Sequence, residues 1–217
     1  AALKITGDQT IEMWVYPTDL TLRRNPYAKA YGGEGTITIE TDNAGTPGIS
    51  AVVNYYYGIC GGNCGVLGST YDQITMTNPI AANRWTHLVL VRDFSNANPL
   101  LRLRWYKNGV MVNNSVALFA NASVSSLNAY IGTGYVSRFV GTLDEVRVYN
   151  RALTDAEVNA NYTDGRGKYA NGPELGLQLG LNFEEGDGAI VNDYSGNSLN
   201  GNIIGVPVWS ESQVAPA

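Results

Sequence analysis

Two cysteines are the residues whose spacing most directly suggests chemistry. Cys60 and Cys64 are separated by Gly, Gly and Asn, three small or polar residues that allow the chain to turn back on itself. The sequence therefore predicts a disulfide that closes a short ring. Two free thiols and a metal or redox pair are the alternatives, although two thiols cannot complete a four-ligand zinc site. A disulfide favours an oxidising, extracytoplasmic location.

Residues suited to catalysis are few. The single histidine, His87, lies in an apolar strand pattern, so we expect it to have a structural role. One histidine supplies Ser-His-Asp or Cys-His catalysis poorly. Glu184 and Glu185 are adjacent, and on a strand they would point to opposite faces. We therefore expect a protein that is not an enzyme.

Composition and charge exclude several other classes. The chain has 217 residues, 44% of them hydrophobic, which fits a single globular β domain and argues against disorder. Its net charge of −5 arises from 14 basic and 19 acidic residues, and no stretch is strongly basic. Nucleic acid is therefore not an expected partner. No apolar run approaches the ~20 residues of a membrane span, so no membrane insertion is expected.

Alternating apolar and polar residues indicate strands along most of the chain. This pattern predicts an all-β fold of two antiparallel sheets. The dipeptide Asn108-Gly109 is a strong signal for a tight hairpin. Turns are expected at residues 42–45, and a linker at residues 210–217. The clearest alternating segments are residues 10–16, 36–41, 85–92, 101–106, 110–112, 129–132, 141–149 and 177–183.

One short surface helix is predicted near residues 154–163. Thr154 and Glu157 have the spacing of a capping box, in which each side chain bonds the other residue's backbone N–H. Val158 and Tyr162 continue one face, and Gly165 is expected to end the helix.

Four segments in this order carry a family resemblance. Residues 10–17 resemble the early strand of laminin-G-like domains, residues 83–89 their central strand, and residues 105–109 the following hairpin. Residues 141–154 closely resemble the closing strand and short helix of bacterial members. The chain thus resembles the laminin-G-like, concanavalin A-like lectin and glucanase domains over most of residues 3–164. This resemblance implies a jelly-roll sandwich and leaves function open.

The order of the two ends departs from that family. Residues 181–188 and 193–197 resemble the opening of such a domain, yet here they come last. We therefore expect one domain over residues 1–217, in which residues 177–209 supply a displaced opening strand. The strand closes its own sheet in a circularly permuted domain, completes the next copy, or begins a truncated neighbouring domain. Completion of another copy would make the chain a subunit of a surface filament.

The resemblance also implies a structural calcium ion where the opening and closing strands meet. It brings Asp144 close to Glu184, and the turn from Asp193 to Asn197 could supply further oxygens. Alternatively, Asp144 pairs with a nearby cation such as Arg147.

Glycan recognition is the usual role that the resemblance implies. Related glycan-cutting sandwiches carry closely spaced carboxylates on one strand, and this chain has no such array. Sugar binding requires aromatic faces and polar side chains, although tyrosines on strands can equally serve packing. The candidate ligand-binding residues are Tyr55, Tyr56, Tyr57, Tyr71, Tyr27 and Tyr31.

The sequence thus favours an extracellular, non-catalytic binding or adhesion module, secreted or on the cell surface, with carbohydrate as its partner. The main alternative is a subunit of a cell-surface filament or appendage that assembles with neighbouring copies through its terminal strand. A weaker alternative is an accessory domain of a larger hydrolase.

Overall fold

A computed structural model describes residues 3–41, 46–163 and 174–211. Within these ranges the chain forms two packed β-sheets and one α-helix, which confirms the predicted sandwich. The predicted turn at 42–45, the helix end at Gly165 and most of the predicted linker lie outside the described residues. In chain order the strands are Gln9–Pro17 (β1), Arg24–Ala30 (β2), Gly35–Glu40 (β3), Ser50–Gly58 (β4), Tyr71–Ala81 (β5), Thr86–Arg92 (β6), Leu103–Lys107 (β7), Val110–Ser115 (β8), Tyr130–Ile131 (β9), Ser137–Arg138 (β10), Gly141–Tyr149 (β11), Leu177–Leu181 (β12), Ile190–Val191 (β13) and Gly201–Asn202 (β14).

The two large sheets differ in the order of their strands. The first sheet has the order β12-β11-β1-β6-β7-β8, and the second has the order β10-β2-β3-β4-β5, with β9 also paired to β2. Neighbouring strands are antiparallel except β10 and β2, which are parallel. A small third sheet joins β13 and β14.

Side-chain alternation determines which residues form the core. On β1, Ile11, Met13 and Val15 point between the sheets and are fully buried. On β4, the inward positions are Val53, Tyr55 and Tyr57. The intervening residues of each strand point to the outer faces, because successive side chains of a strand alternate.

The predicted hairpin and capping box are both present. Asn108 and Gly109 have φ angles of 50° and 77° and join β7 to β8 as a two-residue turn. The helix, Asp155–Thr163 (α1), begins after Thr154, whose hydroxyl accepts from the N–H of Glu157 at 3.2 Å. The Glu157 carboxylate accepts in return from the N–H of Thr154 at 2.8 Å.

The outer face of the first sheet carries a buried polar network. The Nε2 of His87 lies 2.7 Å from Glu12 Oε1, and Arg147 Nη1 lies 3.6 Å from the same oxygen. Asn161 of α1 donates to the other Glu12 oxygen at 2.9 Å. This network confirms a structural role for His87. It also shows that α1 covers this face. Val158 of α1 is completely buried against the sheet.

The C-terminal region adds a strand to the same chain. β12 pairs with β11 at the edge of the first sheet, with Leu181 opposite Val146. Gly180 allows the ring of Tyr194 to lie on the strand, since a Cβ there would be 2.5 Å from that ring. The single chain therefore has its own β12 in the predicted place, and exchange of this strand between copies stays a prediction.

Candidate functional site

Three of the predicted ligand-binding tyrosines belong to the core. Tyr27, Tyr55 and Tyr57 are exposed by only 1%, 0% and 0%. The hydroxyl of Tyr55 accepts from Arg92 at 2.8 Å, and that of Tyr57 donates to Asp72 at 3.0 Å. The prediction of ligand contact is wrong for these three, because their strand positions turn the rings toward the opposite sheet.

The other three predicted tyrosines lie together on the outer side of the second sheet. The ring centroids of Tyr31 and Tyr71 are 5.2 Å apart, and those of Tyr56 and Tyr71 are 6.1 Å apart. Tyr135 joins them, with its ring 5.0 Å from that of Tyr31. These separations lie in the range of favourable aromatic pairs. Tyr56 is buried at the base of the group, whereas Tyr31, Tyr71 and Tyr135 are half-buried.

A cation closes this group into a ring. The guanidinium of Arg23 lies 5.1 Å from the ring centroid of Tyr56 and 5.4 Å from that of Tyr135. Its Nη2 also donates to the Tyr135 hydroxyl at 2.8 Å. Both separations are within cation–π distance. We call the closed circuit of Arg23, Tyr56, Tyr71, Tyr31 and Tyr135 the tyrosine–arginine ring.

A row of polar side chains lies beside the tyrosine–arginine ring. Thr38, Asn54 and Thr75 are paired in register across β3, β4 and β5. Asn54 Nδ2 donates to Glu40 Oε1 at 2.6 Å, and Gln73 Nε2 donates to Asn54 Oδ1 at 2.8 Å. We call Thr38, Glu40, Asn54, Gln73 and Thr75 the polar ladder.

Glu40 connects the polar ladder to the tyrosine–arginine ring. Its Oε1 lies 3.2 Å from Arg23 Nε and accepts from the Tyr56 hydroxyl at 3.1 Å. The Thr38 hydroxyl donates to the same oxygen at 2.8 Å. The two groups of residues therefore form one continuous surface of aromatic faces, hydroxyls, amides and one ion pair.

Burial keeps two phenols of this surface, those of Tyr56 and Tyr135, protonated. Burial, followed by the charge of Glu40, raises the pKa of Tyr56 to about 12. Burial also raises the pKa of Tyr135. Burial alone would lower the pKa of Arg23, but Tyr135, Tyr56 and Glu40 raise it above the usual value. At neutral pH both phenols therefore keep their O–H groups and Arg23 stays charged.

The predicted disulfide is present next to this surface. Cys60 and Cys64 are bonded, and the short loop between them packs on the chain at Tyr31 and Gly32. The Asn63 side chain accepts from the N–H of Tyr31 at 3.2 Å. The loop is therefore in a position to fix one aromatic residue of the tyrosine–arginine ring.

The residues predicted to bind calcium have hydrogen-bond partners within the protein. The carboxylate of Asp193 accepts from three backbone N–H groups at 2.9 to 3.0 Å, and Asn197 Nδ2 donates to the carbonyl of Gln178 at 3.1 Å. Asp144 accepts from a backbone N–H at 2.9 Å, and Asp144 and Glu184 line the same cavity. Among residues 3–41, 46–163 and 174–211, no three acidic, histidine or cysteine side chains are grouped to hold a metal ion. Calcium and its four predicted ligands stay a prediction.

A cavity of about 1400 Å³ lies elsewhere, between residues 126–143 and 179–211. Its walls include Leu179, Phe183 and Trp209, which are continuous with the core. Charged residues such as Asp144 and Glu184 also line it, so its walls are both apolar and polar.

Sequence reasoning missed several residues of the candidate site. Alternation on β4 could have separated Asn54 and Tyr56 from their inward neighbours, and the alternating polar residues of β3 could have indicated Thr38 and Glu40. Arg23 and Tyr135 lie 112 residues apart, so no local pattern connects them.

The family is established by comparison with known proteins. A family model described as the concanavalin A-like lectin/glucanases superfamily matches residues 1–159, and the chain belongs to this superfamily. No curated protein matches the chain. No helix within the described ranges combines the length and apolar character needed to cross a membrane.

Three solved structures share the fold. A candidate carbohydrate-binding protein from Bacteroides ovatus is 20% identical with a TM-score of 0.65, covering 90% of this chain and 51% of that one. The heptameric SAP-like pentraxin of Limulus polyphemus is 14% identical with a TM-score of 0.53, covering 77% and 74%. The CBM40 of the Ruminococcus gnavus IT-sialidase, bound to α2,3-sialyllactose, is 16% identical with a TM-score of 0.52, covering 73% and 83%. The chain therefore spans about half the length of the Bacteroides protein.

Proposed function

We propose that this chain is a non-catalytic carbohydrate-binding module, secreted or on the cell surface, that binds glycan on the outer face of its second sheet. The observation that carries the proposal is the tyrosine–arginine ring lying directly against the polar ladder. Carbohydrate-binding relatives of the same fold, the Bacteroides protein and the sialidase CBM40, support the proposal. Fold similarity alone does not determine function, so the argument depends on this surface.

The chemistry of the surface matches that of a sugar. The half-buried rings of Tyr31, Tyr71 and Tyr135 offer apolar faces to the C–H groups of a pyranose or furanose. The half-buried amide of Gln73 and hydroxyl of Thr75 offer donors and acceptors to its hydroxyls, and the buried Asn54 holds both of them in place. Mostly apolar contact with a few fixed polar groups is typical of small-molecule sites.

The remaining surfaces of the sandwich support this location. Helix α1 and the network of Glu12, His87 and Arg147 close the outer face of the first sheet.

Hydrolysis of a glycoside by the usual mechanism requires two carboxyl groups about 5–9 Å apart. Within the tyrosine–arginine ring and the polar ladder, Glu40 is the only carboxylate. Binding without cleavage is therefore the activity that this surface favours.

Substitution of the exposed tyrosines tests the proposal. A glycan array with the full chain identifies a ligand, and isothermal titration calorimetry then measures its Kd. Tyr71→Ala and Tyr31→Ala each remove one aromatic face, and we expect each to weaken binding about tenfold, or about 1.4 kcal/mol.

Tyr162→Ala is the matched control, because Tyr162 is also half-buried but stacks on Trp14 at the first sheet. It should change thermal stability without changing Kd. Unchanged affinity in both ring variants, or equal losses in all three, would contradict the proposed location. A chain that binds no glycan on the array would contradict the function itself.

A second function, assembly through the terminal segment, is favoured by one specific observation. Ile204, Val206 and Val208 are 71%, 96% and 90% exposed in a segment without regular secondary structure. The cavity described above lies beside the same segment. A group of exposed apolar side chains commonly marks a site of contact with another chain.

Solution mass as a function of concentration tests this second function. Assembly predicts oligomers of the wild-type chain that are abolished by the double variant Val206→Asp, Val208→Asp. Leu175→Asp is the control, because Leu175 is 81% exposed outside that segment. A wild-type chain that stays monomeric at high concentration removes the filament alternative.

A further inference from the structure

We propose that the glycan bound by this surface is uncharged, so that neutral saccharides are preferred to those bearing sialic or uronic acids. This inference rests on the proposed function and adds the class of ligand to it. The observation that carries it is the ion pair between Arg23 and Glu40, which balances the charge of the surface.

The guanidinium of Arg23 already interacts with three side chains of the protein. Its guanidinium lies between the rings of Tyr56 and Tyr135 and bonds the Tyr135 hydroxyl. Its Nε lies 3.2 Å from the Glu40 carboxylate. An acidic sugar that approached Arg23 would therefore also approach Glu40, and the repulsion between like charges would weaken its binding.

Glu40 is firmly held in this arrangement. One oxygen, Oε1, accepts hydrogen bonds from Asn54, Thr38 and Tyr56 in addition to facing Arg23. Three donors and an adjacent guanidinium therefore fix the position of this carboxylate. An acidic ligand could not easily displace it, because the displaced carboxylate would lose all of these partners.

The second oxygen of Glu40, Oε2, favours a ligand that donates a hydrogen bond. Within the described residues no group donates a hydrogen bond to Oε2, and the side chain keeps 21% of its surface exposed. A carboxylate is only an acceptor, so its natural partner is a donor such as a sugar hydroxyl. A ligand carboxylate has no hydrogen to give and would meet repulsion instead.

The other members of the polar ladder are uncharged. The half-buried Gln73 and Thr75 supply an amide and a hydroxyl that bond neutral hydroxyls as donors or acceptors, and the buried Thr38 and Asn54 add no charge beneath them. The ligand class therefore differs in charge from α2,3-sialyllactose, to which the Ruminococcus gnavus domain of the same fold is bound.

The test uses pairs of oligosaccharides that differ only in whether their carboxyl groups are present or charged. A glycan array with matched neutral and acidic members, such as 3′-sialyllactose methyl ester with 3′-sialyllactose and galactotriose with trigalacturonate, selects the pair that gives the strongest signal. Calorimetry with the full chain then measures both Kd values. We expect the neutral member to bind at least about tenfold more tightly.

Glu40→Gln separates charge from shape. This variant removes the negative charge and leaves Arg23 without its carboxylate partner, so we expect the preference for the neutral member to narrow at least about threefold. Glu211→Gln removes the same charge at an exposed position outside this surface and should leave both Kd values unchanged.

The outcomes distinguish this inference from the proposed function. A wild-type chain that binds the acidic member as tightly or more tightly overturns the neutral-ligand inference and leaves glycan binding standing. A preference that is unchanged in Glu40→Gln also overturns it, because the ion pair would then have no part in selection. A chain that binds no member of the array overturns both.

Discussion

Gly32 lies directly against the disulfide, since a Cβ at this position would be 2.2 Å from the Sγ of Cys60. The N–H of Gly32 donates to the carbonyl of Gly62 at 2.9 Å, and the carbonyl of Gly32 accepts from the N–H of Cys60 at 2.9 Å. The disulfide loop and the segment after β2 therefore fit together closely, next to Tyr31 of the tyrosine–arginine ring.

We predict that loss of the disulfide weakens glycan binding as well as stability. For a closed loop of about five residues, chain-entropy arguments give a contribution of about 2 kcal/mol. We therefore expect the double variant Cys60→Ser, Cys64→Ser to unfold at a Tm lower by about 4–8 °C. Its Kd should rise because Tyr31 loses its fixed neighbour. Calorimetric unfolding and glycan titration measure the two effects, and a lower Tm with unchanged Kd would contradict the positioning role.

We predict that Gly32→Ala destabilises the chain far more than Gly7→Ala. A methyl group at Gly32 collides with a sulfur and a backbone carbonyl, whereas a Cβ at Gly7 meets no atom within 4 Å. Overpacking of this kind typically costs about 1–3 kcal/mol. Urea unfolding of both variants measures the difference, and equal stabilities would show that the loop yields without cost.

Local sequence patterns predicted the elements of this fold well. The alternation at residues 10–16 corresponds to β1, the Asn108-Gly109 dipeptide to the β7–β8 turn, and Thr154 to the helix start. Each of these signals acts within a few residues, so the sequence alone contains them. The disulfide was predictable for the same reason, because its two cysteines are close neighbours.

The site was only partly predictable, because it depends on contacts between distant parts of the chain. The density of Tyr55, Tyr56 and Tyr57 drew attention to this strand. Of the three, only Tyr56 lies on the outer face, because successive side chains of a strand alternate. Arg23 and Tyr135 come together through the pairing of β10 with β2. No local pattern in the sequence encodes such a pairing.

We predict that Glu12→Gln strongly destabilises the first sheet. Burial alone would raise the pKa of Glu12, but Arg147 and the hydrogen bond with His87 lower it below the usual value. Removing one partner of a buried ion pair typically costs about 3–5 kcal/mol. Urea unfolding at pH 7 measures the loss against Glu211→Gln, which should be silent.

The ion pair of Glu12 with Arg147 also predicts that the stability of the protein falls in acid. A carboxyl whose pKa is lowered in the folded state contributes stability above its unfolded pKa and loses it as the pH falls through the folded value. The difference between wild type and Glu12→Gln should therefore shrink below about pH 4. A difference that is constant from pH 3 to pH 7 would contradict this assignment.

We predict the opposite pH dependence at Glu145. This residue is buried with φ at 51°, and no described residue bonds its Oε2. Burial raises the pKa of its carboxyl to about 9. The folded state therefore holds a proton that the unfolded chain releases, and stability falls as the pH rises from about 4.5 toward 9.

Glu145→Gln removes this dependence, because a glutamine cannot ionise. We expect its Tm to exceed that of the wild type by at least about 3 °C at pH 8 and to match it closely at pH 5. The measurement at pH 5 is the internal control, since the wild-type carboxyl is protonated there in the folded state. An equal difference in Tm between Glu145→Gln and the wild type at pH 5 and pH 8 would contradict this prediction. Packing of the side chain, and not its ionisation, would then cause the difference.

Hydrogen bonds of Asp193 hold the turn from Asp193 to Asn197, which the sequence predicts to supply calcium ligands. Both oxygens of Asp193 accept hydrogen bonds, from the N–H groups of Gly180, Ser195 and Leu199 and from the Ser195 hydroxyl. Although burial alone would raise the pKa of Asp193, these bonds lower it. The carboxylate thus attaches the turn to β12.

Asp193→Ala should therefore lower the Tm in the presence of EDTA, because these hydrogen bonds need no metal ion. Asp144→Ala is the comparison, because Asp144 accepts from a backbone N–H at the other predicted calcium position. A wild-type Tm that rises with CaCl₂ and falls with EDTA, with the rise lost in Asp144→Ala, would support the predicted calcium site. A wild-type Tm that is the same with CaCl₂ and with EDTA would contradict calcium binding. An Asp193→Ala variant that unfolds at the wild-type Tm in EDTA would contradict the role of the hydrogen bonds.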